Sequence, residues 1–155
     1  MIQRIQTLYL FLSAGLFFAL FFLPLAAIQS GSALYSFHLA GLYTTTSPVT
    51  LAYPAWALFV LAAIIVLLSF LIIFSYKKRI LQIRMCIFNI LLMIGFCAVF
   101  GCYLWLFNQI PDFQSMKISF KIWASFPIIS MILYYLAIRN IGADETLVRS
   151  LERLR

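Results

Sequence analysis

Long runs of apolar residues without a charge constrain this chain more than any other feature of its sequence. The clearest run, AWALFVLAAIIVLLSFLIIFSY from Ala55 to Tyr76, contains no Asp, Glu, Lys or Arg. A helix needs about 20 such residues to cross the hydrocarbon core of a bilayer. The composition agrees, because 65% of the residues are hydrophobic, 10% are charged and the mean hydropathy is +1.07. A water-soluble domain could not cover its surface with so few charges. The sequence therefore predicts an integral membrane protein.

Four runs of this kind predict four transmembrane helices that form one membrane domain over residues 1–155. Pro24 should kink or end the first span. Pro127 should interrupt the last one, since it removes the hydrogen bond to the carbonyl of Trp123. Such a break is tolerated where neighbouring helices cover it. We expect an all-α fold, a four-transmembrane-helix bundle with spans at about 5–28, 55–76, 85–107 and 118–138, the last of which begins at Ile118 or Ile122.

The basic residues predict which helix ends lie in the cytoplasm, because short cytoplasmic loops are enriched in Lys and Arg. Of the eleven basic residues, Lys117 and Lys121 lie between the third and fourth spans. The other nine flank the opposite ends of the spans: Arg4, Lys77, Lys78, Arg79, Arg84, Arg139, Arg149, Arg153 and Arg155. Both termini, including the tail 139–155, are therefore expected in the cytoplasm. This distribution accounts for the net charge of +7, and we expect no nucleic-acid partner.

The first external loop, residues 29–53, is rich in aromatic and β-branched residues and has no formal charge apart from His38. Two β-prone segments, at about Ala33–Leu39 and Val49–Tyr53, flank a turn at Ser47 and Pro48. One interpretation is a short β-hairpin over the mouth of the bundle. In the other interpretation, the aromatic side chains lie in the headgroup layer of the membrane.

Residues that could carry catalysis, a metal or a haem are scarce. His38 is the one histidine, and none of the three cysteines, Cys86, Cys97 and Cys102, belongs to a Cys-x-x-Cys pair. The serines in the predicted spans have no His, Lys or Asp beside them to activate a hydroxyl. We therefore expect no enzyme activity, no cofactor and no metal site.

Asn89 is the strongest polar group in the predicted spans, and Ser69 lies at a similar depth on the preceding span. These residues could form an interhelical hydrogen bond, worth about 0.6 kcal/mol on average in membranes, or a site for a polar substrate. Transporters usually also bury an ionisable side chain in the membrane, and the four spans contain none when the fourth is counted from Ile122, after Lys121. The sequence therefore favours packing.

The C-terminal tail has an amphipathic pattern. Gly142 predicts the end of the fourth helix, and Asp144 predicts the N-cap of a short separate helix. An apolar stripe with basic neighbours would dock on the cytoplasmic membrane surface or on a partner protein. The candidate interaction residues are Leu147, Leu151, Leu154, Arg149 and Arg153.

The two ends of the chain, MIQRIQTLYL at Met1–Leu10 and LAIRNIGADETLVRSLERLR at Leu136–Arg155, resemble a Bacteroidota family described as domain of unknown function 4293. The resemblance implies a small, multi-pass protein of the bacterial inner membrane with a four-helix layout. It implies no activity, cofactor or catalytic residue.

Two functions stay open at this point. The first is a non-catalytic, structural or accessory subunit that packs beside a larger membrane complex, in contact with the lipid bilayer and with a membrane-protein partner. The absence of buried charge and the patterned tail favour it. The second is a small transporter or lipid-binding protein, which the break at Pro127 and the aromatic-rich loop favour.

Overall fold

Helices and strands both contribute to the fold. The computed structural model describes residues 3–30, 33–45, 48–75, 78–110 and 117–153, with the side chains at 3, 4 and 144–153 outside that description. The helices are α1 (Gln3–Ala19), α2 (Trp56–Phe74), α3 (Arg79–Gln109) and α4 (Phe126–Arg153). The strands are β1 (Ala26–Ser30), β2 (Ala33–His38), β3 (Gly41–Thr44), β4 (Leu51–Pro54) and β5 (Lys117–Phe120).

The four helices form a bundle in which α1 and α3 each contact both α2 and α4. Three segments are long and apolar enough to cross a membrane: Trp56–Phe74, Arg79–Gln109 and Ile122–Ala143. The apolar helix α1 is shorter, with 17 residues, which corresponds to about 25 Å at 1.5 Å per residue. By length and composition, three of the four expected helices can therefore cross a membrane.

The expectation of an all-α fold is wrong. The five strands form one antiparallel sheet in the order β4-β3-β2-β1-β5. Strand β1, which the sequence assigned to the end of the first span, pairs with β2 on one side and with β5 on the other. Ala26 lies opposite both Phe37 and Phe120. The sheet therefore joins segments that are almost a hundred residues apart in the chain.

The hairpin expected between Ala33–Leu39 and Val49–Tyr53 is correct about strands and wrong about their pairing. Both segments contain strands, β2 and β4, but β3 lies between them and pairs with each. The tight turn is at Leu39 and Ala40, where β2 ends and β3 begins. The predicted turn residue Ser47 lies outside the described residues, and Pro48 precedes β4 in irregular structure.

One face of the sheet packs on the C-terminal part of α3 through aromatic contacts. Phe37 is fully buried, and its ring stacks on that of Phe100 with centroids 5.5 Å apart and meets Phe107 edge-on at the same distance. Tyr53 contacts the Phe107 ring at 5.9 Å. Aromatic pairs of this kind add about 0.5–1.5 kcal/mol each beyond burial of their area. The sheet is therefore part of the hydrophobic core.

Several helix boundaries differ from the predicted spans for local reasons. Helix α1 ends at Ala19, and the amides of Leu20, Phe21 and Phe22 donate to carbonyls three residues earlier, which tightens the final turn before Pro24. Pro127 does not interrupt the fourth helix. A 3-10 turn at Ile122–Ser125 precedes α4, which begins at Phe126, so Pro127 lies in the first turn, where a missing amide hydrogen costs little.

The predicted break at Gly142 is also wrong, because α4 continues through it to Arg153. A separate short helix that begins at Asp144 is therefore absent from the described backbone. The third helix also differs from its predicted span, because α3 begins at Arg79 rather than near residue 85 and includes Arg84. Both helices thus extend past the apolar runs from which their ends were predicted.

The sheet lies at one end of the bundle. Strand β1 follows α1, and the sheet packs on the C-terminal part of α3, whereas β4 leads into α2 and β5 leads through the 3-10 turn into α4. The start of α1, the α2–α3 connection and the end of α4 therefore lie at the opposite end.

Candidate functional site

Two features of the described residues could carry function: a buried polar cluster inside the bundle and an open cleft beside the sheet. The polar cluster consists of Ser69, Asn89 and Tyr134, one residue from each of α2, α3 and α4, and all three are fully buried. Each residue lies on the buried stripe of its helix. Buried residues next to Ser69 on α2 include Ile65 and Ile72, at the spacing of one helix face.

Hydrogen bonds connect the three side chains directly. Asn89 Nδ2 donates to Tyr134 Oη at 2.9 Å and to Ser69 Oγ at 3.1 Å. Tyr134 Oη in turn donates to Ser69 Oγ at 2.7 Å, and Ser69 Oγ donates to the backbone carbonyl of Ile65 at 2.7 Å. The amide hydrogens and both hydroxyl hydrogens of the polar cluster therefore all have acceptors.

The polar cluster retains one unused acceptor. Asn89 Oδ1 is buried and accepts no hydrogen bond from the protein, and the buried hydroxyls of Ser13 and Ser130 likewise have no partner. Gln82, near the start of α3, donates from Nε2 to the carbonyl of Ile72 at 3.3 Å and so connects α3 to α2. Among the residues whose burial is described, the buried polar side chains are uncharged.

The second feature, which we name the sheet cleft, has a volume of about 330 Å³ and opens to the surface. It lies between the sheet and the ends of α1 and α2 that adjoin it. Its lining residues are Phe21, Ser36, His38, Ala40, Tyr43, Val49 and Phe59. None of these described lining residues is Asp, Glu, Lys or Arg.

The strand register explains how His38 reaches the sheet cleft. Because side chains alternate along a strand, Phe37 points to α3 while Ser36 and His38 point to the other face. His38 lies opposite Gly41, which has no side chain to occupy the neighbouring space. The imidazole meets the Tyr43 ring edge-on, with centroids 5.7 Å apart. Burial lowers the pKa of His38 below its ordinary value of 6.5, so the imidazole is neutral at pH 7.

Comparison with known families gives one match, which covers nearly the whole chain. The family model described as "Domain of unknown function (DUF4293)" matches residues 2–154. The chain belongs to this family. No curated protein matches it. Membership of the DUF4293 family confirms the family resemblance of the two ends of the sequence and assigns no activity.

In this DUF4293 protein the two predicted polar residues do come together. Asn89 on α3 donates a hydrogen bond to Ser69 on α2. Tyr134, the third member of the polar cluster, was not singled out from the sequence. The available signal was its position one helical turn after Ser130, on the same face of α4.

The predicted tail residues cannot be placed in the same way. Leu154 lies outside the described residues, and the side chains of the other four, Leu147, Arg149, Leu151 and Arg153, are outside the description although their backbone is helical.

The three cysteines are free thiols, with Cys86 buried, Cys97 half-buried and Cys102 exposed on α3. The described residues contain no group of three or more His, Cys, Asp or Glu that could hold a metal ion.

Proposed function

We propose that this chain is a non-catalytic integral protein of the bacterial inner membrane that acts as a structural or accessory subunit beside a larger membrane complex. The observation that carries the proposal is the polar cluster. Its side chains hydrogen-bond to one another across three helices. Polar side chains that served a solute would instead line an open cavity or a path.

The chemistry of the bundle interior supports a structural role. Interhelical hydrogen bonds in membranes are each worth about 0.6 kcal/mol on average and at most about 1.7 kcal/mol. The three contacts of the polar cluster would therefore fix the relative positions of α2, α3 and α4 without dominating the stability. A proton or ion pathway normally requires buried ionisable groups, and the buried polar residues described here are uncharged.

The proposed orientation places the sheet on the periplasmic side and both termini in the cytoplasm. Lys78 and Arg79 lie at the start of α3, opposite the sheet, whereas Lys117 begins β5 and Lys121 lies between β5 and the 3-10 turn at the sheet end. Basic residues are retained on the cytoplasmic side during insertion. The charge distribution along the sequence therefore supports this orientation of the bundle.

A partner would pack against one side of the bundle, and a crosslinking scan can locate that side. Each helix has an aliphatic residue of nearly equal exposure on its outer surface: Leu8 (61%), Leu67 (61%), Leu91 (60%) and Ile132 (56%). A photoreactive amino acid at each of these matched positions, one per variant, would report the neighbours of α1, α2, α3 and α4 in living cells.

An accessory subunit should give a discrete protein adduct, of the same size in every preparation, from one helix or from two adjacent helices. The remaining positions should react with lipid alone and serve as internal controls. Absence of a protein adduct at all four positions, in a protein that is correctly inserted, would contradict the accessory role.

A second candidate function is a small lipid-binding or solute-transporting protein, and the sheet cleft favours it. The break at Pro127 no longer supports transport, because Pro127 lies in the first turn of α4. Purification in mild detergent separates the candidates. Retention of one discrete lipid or solute in a homogeneous monomeric particle would support the second, and stoichiometric retention of another membrane protein would support the first.

A further inference from the structure

The sheet cleft combines aromatic walls, hydrogen-bond donors and an uncharged lining at the end of the bundle. We propose that it binds the flat, uncharged, carbonyl-bearing ring of a quinone-type membrane amphiphile, whose apolar tail lies along the surface of α1. The proposal deepens the lipid-binding candidate, on which it rests, and does not depend on the accessory role.

The charge of the lining determines which head group the sheet cleft accepts. A phosphate would lose its hydration there without a cation to replace it, because the described lining residues include no Lys or Arg. The neutral imidazole of His38 supplies a hydrogen-bond donor rather than a positive charge. An uncharged head group is therefore the complementary ligand.

The rings in the lining favour a planar head group. Phe21, Tyr43 and Phe59 come from the turn after α1, from β3 and from α2, and the rings of Phe21 and Phe59 are in edge-on contact with centroids 5.1 Å apart. Aromatic surfaces arranged this way can stack against or border an inserted ring. The hydroxyls of Ser36 and Tyr43 and the N–H of His38 are donors, which suits a ligand with acceptor carbonyls. A volume of about 330 Å³ lies at the lower end of the range for small-molecule sites.

A path for the tail leads from the sheet cleft to the outside of α1. The Phe21 ring contacts that of Phe18 at 6.2 Å, and Phe18 contacts Phe22 at 5.6 Å. Phe18 and Phe22 are both exposed, at 53% and 71%. This row of rings connects the cleft with the apolar surface that faces lipid, so a chain attached to a bound ring need not enter water.

The purified full chain in detergent is titrated with each of three amphiphiles. Binding is measured by the change in the thermal unfolding midpoint of the protein. Decylubiquinone supplies the neutral ring, dioctanoylglycerol a neutral head without a ring, and dioctanoyl phosphatidylglycerol an anionic head. We expect a saturable rise in the midpoint with decylubiquinone and no saturable rise with either of the other two at the same mole fraction in the micelle.

Matched variants test whether binding occurs in the sheet cleft. Phe59 and Phe70 are both on α2 and are almost equally exposed, at 44% and 45%, but of the two only Phe59 lines the cleft. Phe59→Ala and His38→Leu should each weaken decylubiquinone binding by on the order of tenfold, and Phe70→Ala should leave it unchanged. Val49→Trp, at an exposed lining position, fills the cleft without removing a contact and should also block binding.

Three results would overturn the proposal: equal stabilisation by dioctanoylglycerol, unchanged binding in Val49→Trp, or equal losses in Phe59→Ala and Phe70→Ala. The unfolding midpoints of the ligand-free variants show which of them are folded, and Val49→Trp decides the question if Phe59→Ala is unstable. Adduct formation in the crosslinking scan of the four helices does not involve the cleft. Failure of quinone binding and failure of the accessory role are therefore separately observable.

Discussion

The hydroxyl of Tyr134 connects the three helices of the polar cluster, because it accepts a hydrogen bond from Asn89 and donates one to Ser69. Tyr135 is its neighbour in sequence and lies on the outside of α4, with 62% of its surface exposed. The two tyrosines are therefore a matched pair. One hydroxyl is in the interior network, and the other faces the surroundings of the bundle.

Tyr134→Phe should lower the free energy of unfolding by about 1–2 kcal/mol, since it removes two hydrogen bonds and leaves one amide hydrogen of Asn89 without an acceptor. Tyr135→Phe should change it by less than about 0.5 kcal/mol. Equilibrium unfolding of both variants in the same detergent measures the difference. Equal losses, or loss of the partner adduct in Tyr134→Phe at unchanged stability, would contradict the packing role of the polar cluster.

The polar cluster was partly predictable from sequence for a physical reason. A carboxamide or hydroxyl in an apolar run needs a partner, so Asn89 and Ser69 can be identified from the sequence alone. Tyr134 cannot be identified in this way, because a tyrosine in a membrane segment is most often placed at the interface. Only the helix packing brings its hydroxyl to Asn89.

His38, in the sheet cleft, makes the stability of the protein depend on pH. Burial lowers its pKa in the folded protein, so the unfolded chain binds the proton more readily. Stability from this group is then fully present above pH 6.5 and falls as the pH decreases toward the folded pKa. We expect the thermal midpoint to decrease between pH 7.5 and pH 5.5, and His38→Asn to reduce that decrease. The same decrease in both proteins would assign the effect to other groups.

At the level of elements, the helices were predictable and the sheet was not. Hydropathy identifies apolar runs but does not distinguish a buried strand from the end of a buried helix. Ala26–Ser30 continues the first apolar run, and Lys117–Phe120 has four residues with no turn signal of its own. Their pairing is long-range, and a single sequence carries no record of it. The strands in the loop were predictable because β-branched and aromatic residues there alternate between turn residues.

Gly142 tests the continuity of α4. The helix runs through it, and a Cβ added at this position would meet no atom within 4 Å. Gly142→Ala should therefore stabilise the protein by about 0.5–1 kcal/mol, because alanine loses less conformational entropy in a helix. If Gly142 instead ended the helix in a left-handed conformation, the same substitution would be destabilising. Thermal unfolding gives the sign directly.

Gly41 is the opposite case and serves as the control. Its φ is +156°, and a Cβ there would approach the carbonyl oxygen of Tyr53 to 2.5 Å and a methyl group of Leu51 to 2.7 Å. Gly41→Ala must displace β4 from β3 and should be destabilising. Opposite signs for the two glycine substitutions would confirm both the continuous helix and the close approach of the strands.

For the whole molecule, four helices joined in sequence put the start of α1 and the end of α4 at the same end of the bundle, and the sheet occupies the other end. The number and order of the apolar helices follow from the spacing of the apolar runs. The position of the sheet follows from aromatic contacts such as Phe37 with Phe100, which depend on how residues far apart in sequence pack together. The orientation of this arrangement in the membrane is a separate property, set by charge.

The proposed orientation can be tested with single cysteines at the two ends of the bundle. Lys117 is exposed in β5 at the sheet end, and Lys78 is exposed just before α3 at the other end. In a background where Cys86, Cys97 and Cys102 are replaced, Lys117→Cys should react with a membrane-impermeant maleimide in intact spheroplasts. Lys78→Cys should react only after lysis, because nine of the eleven basic residues flank the predicted spans on that side in the sequence and would retain it in the cytoplasm. Labelling of Lys78→Cys in intact spheroplasts, with Lys117→Cys protected, would reverse the orientation and place the sheet cleft in the cytoplasm.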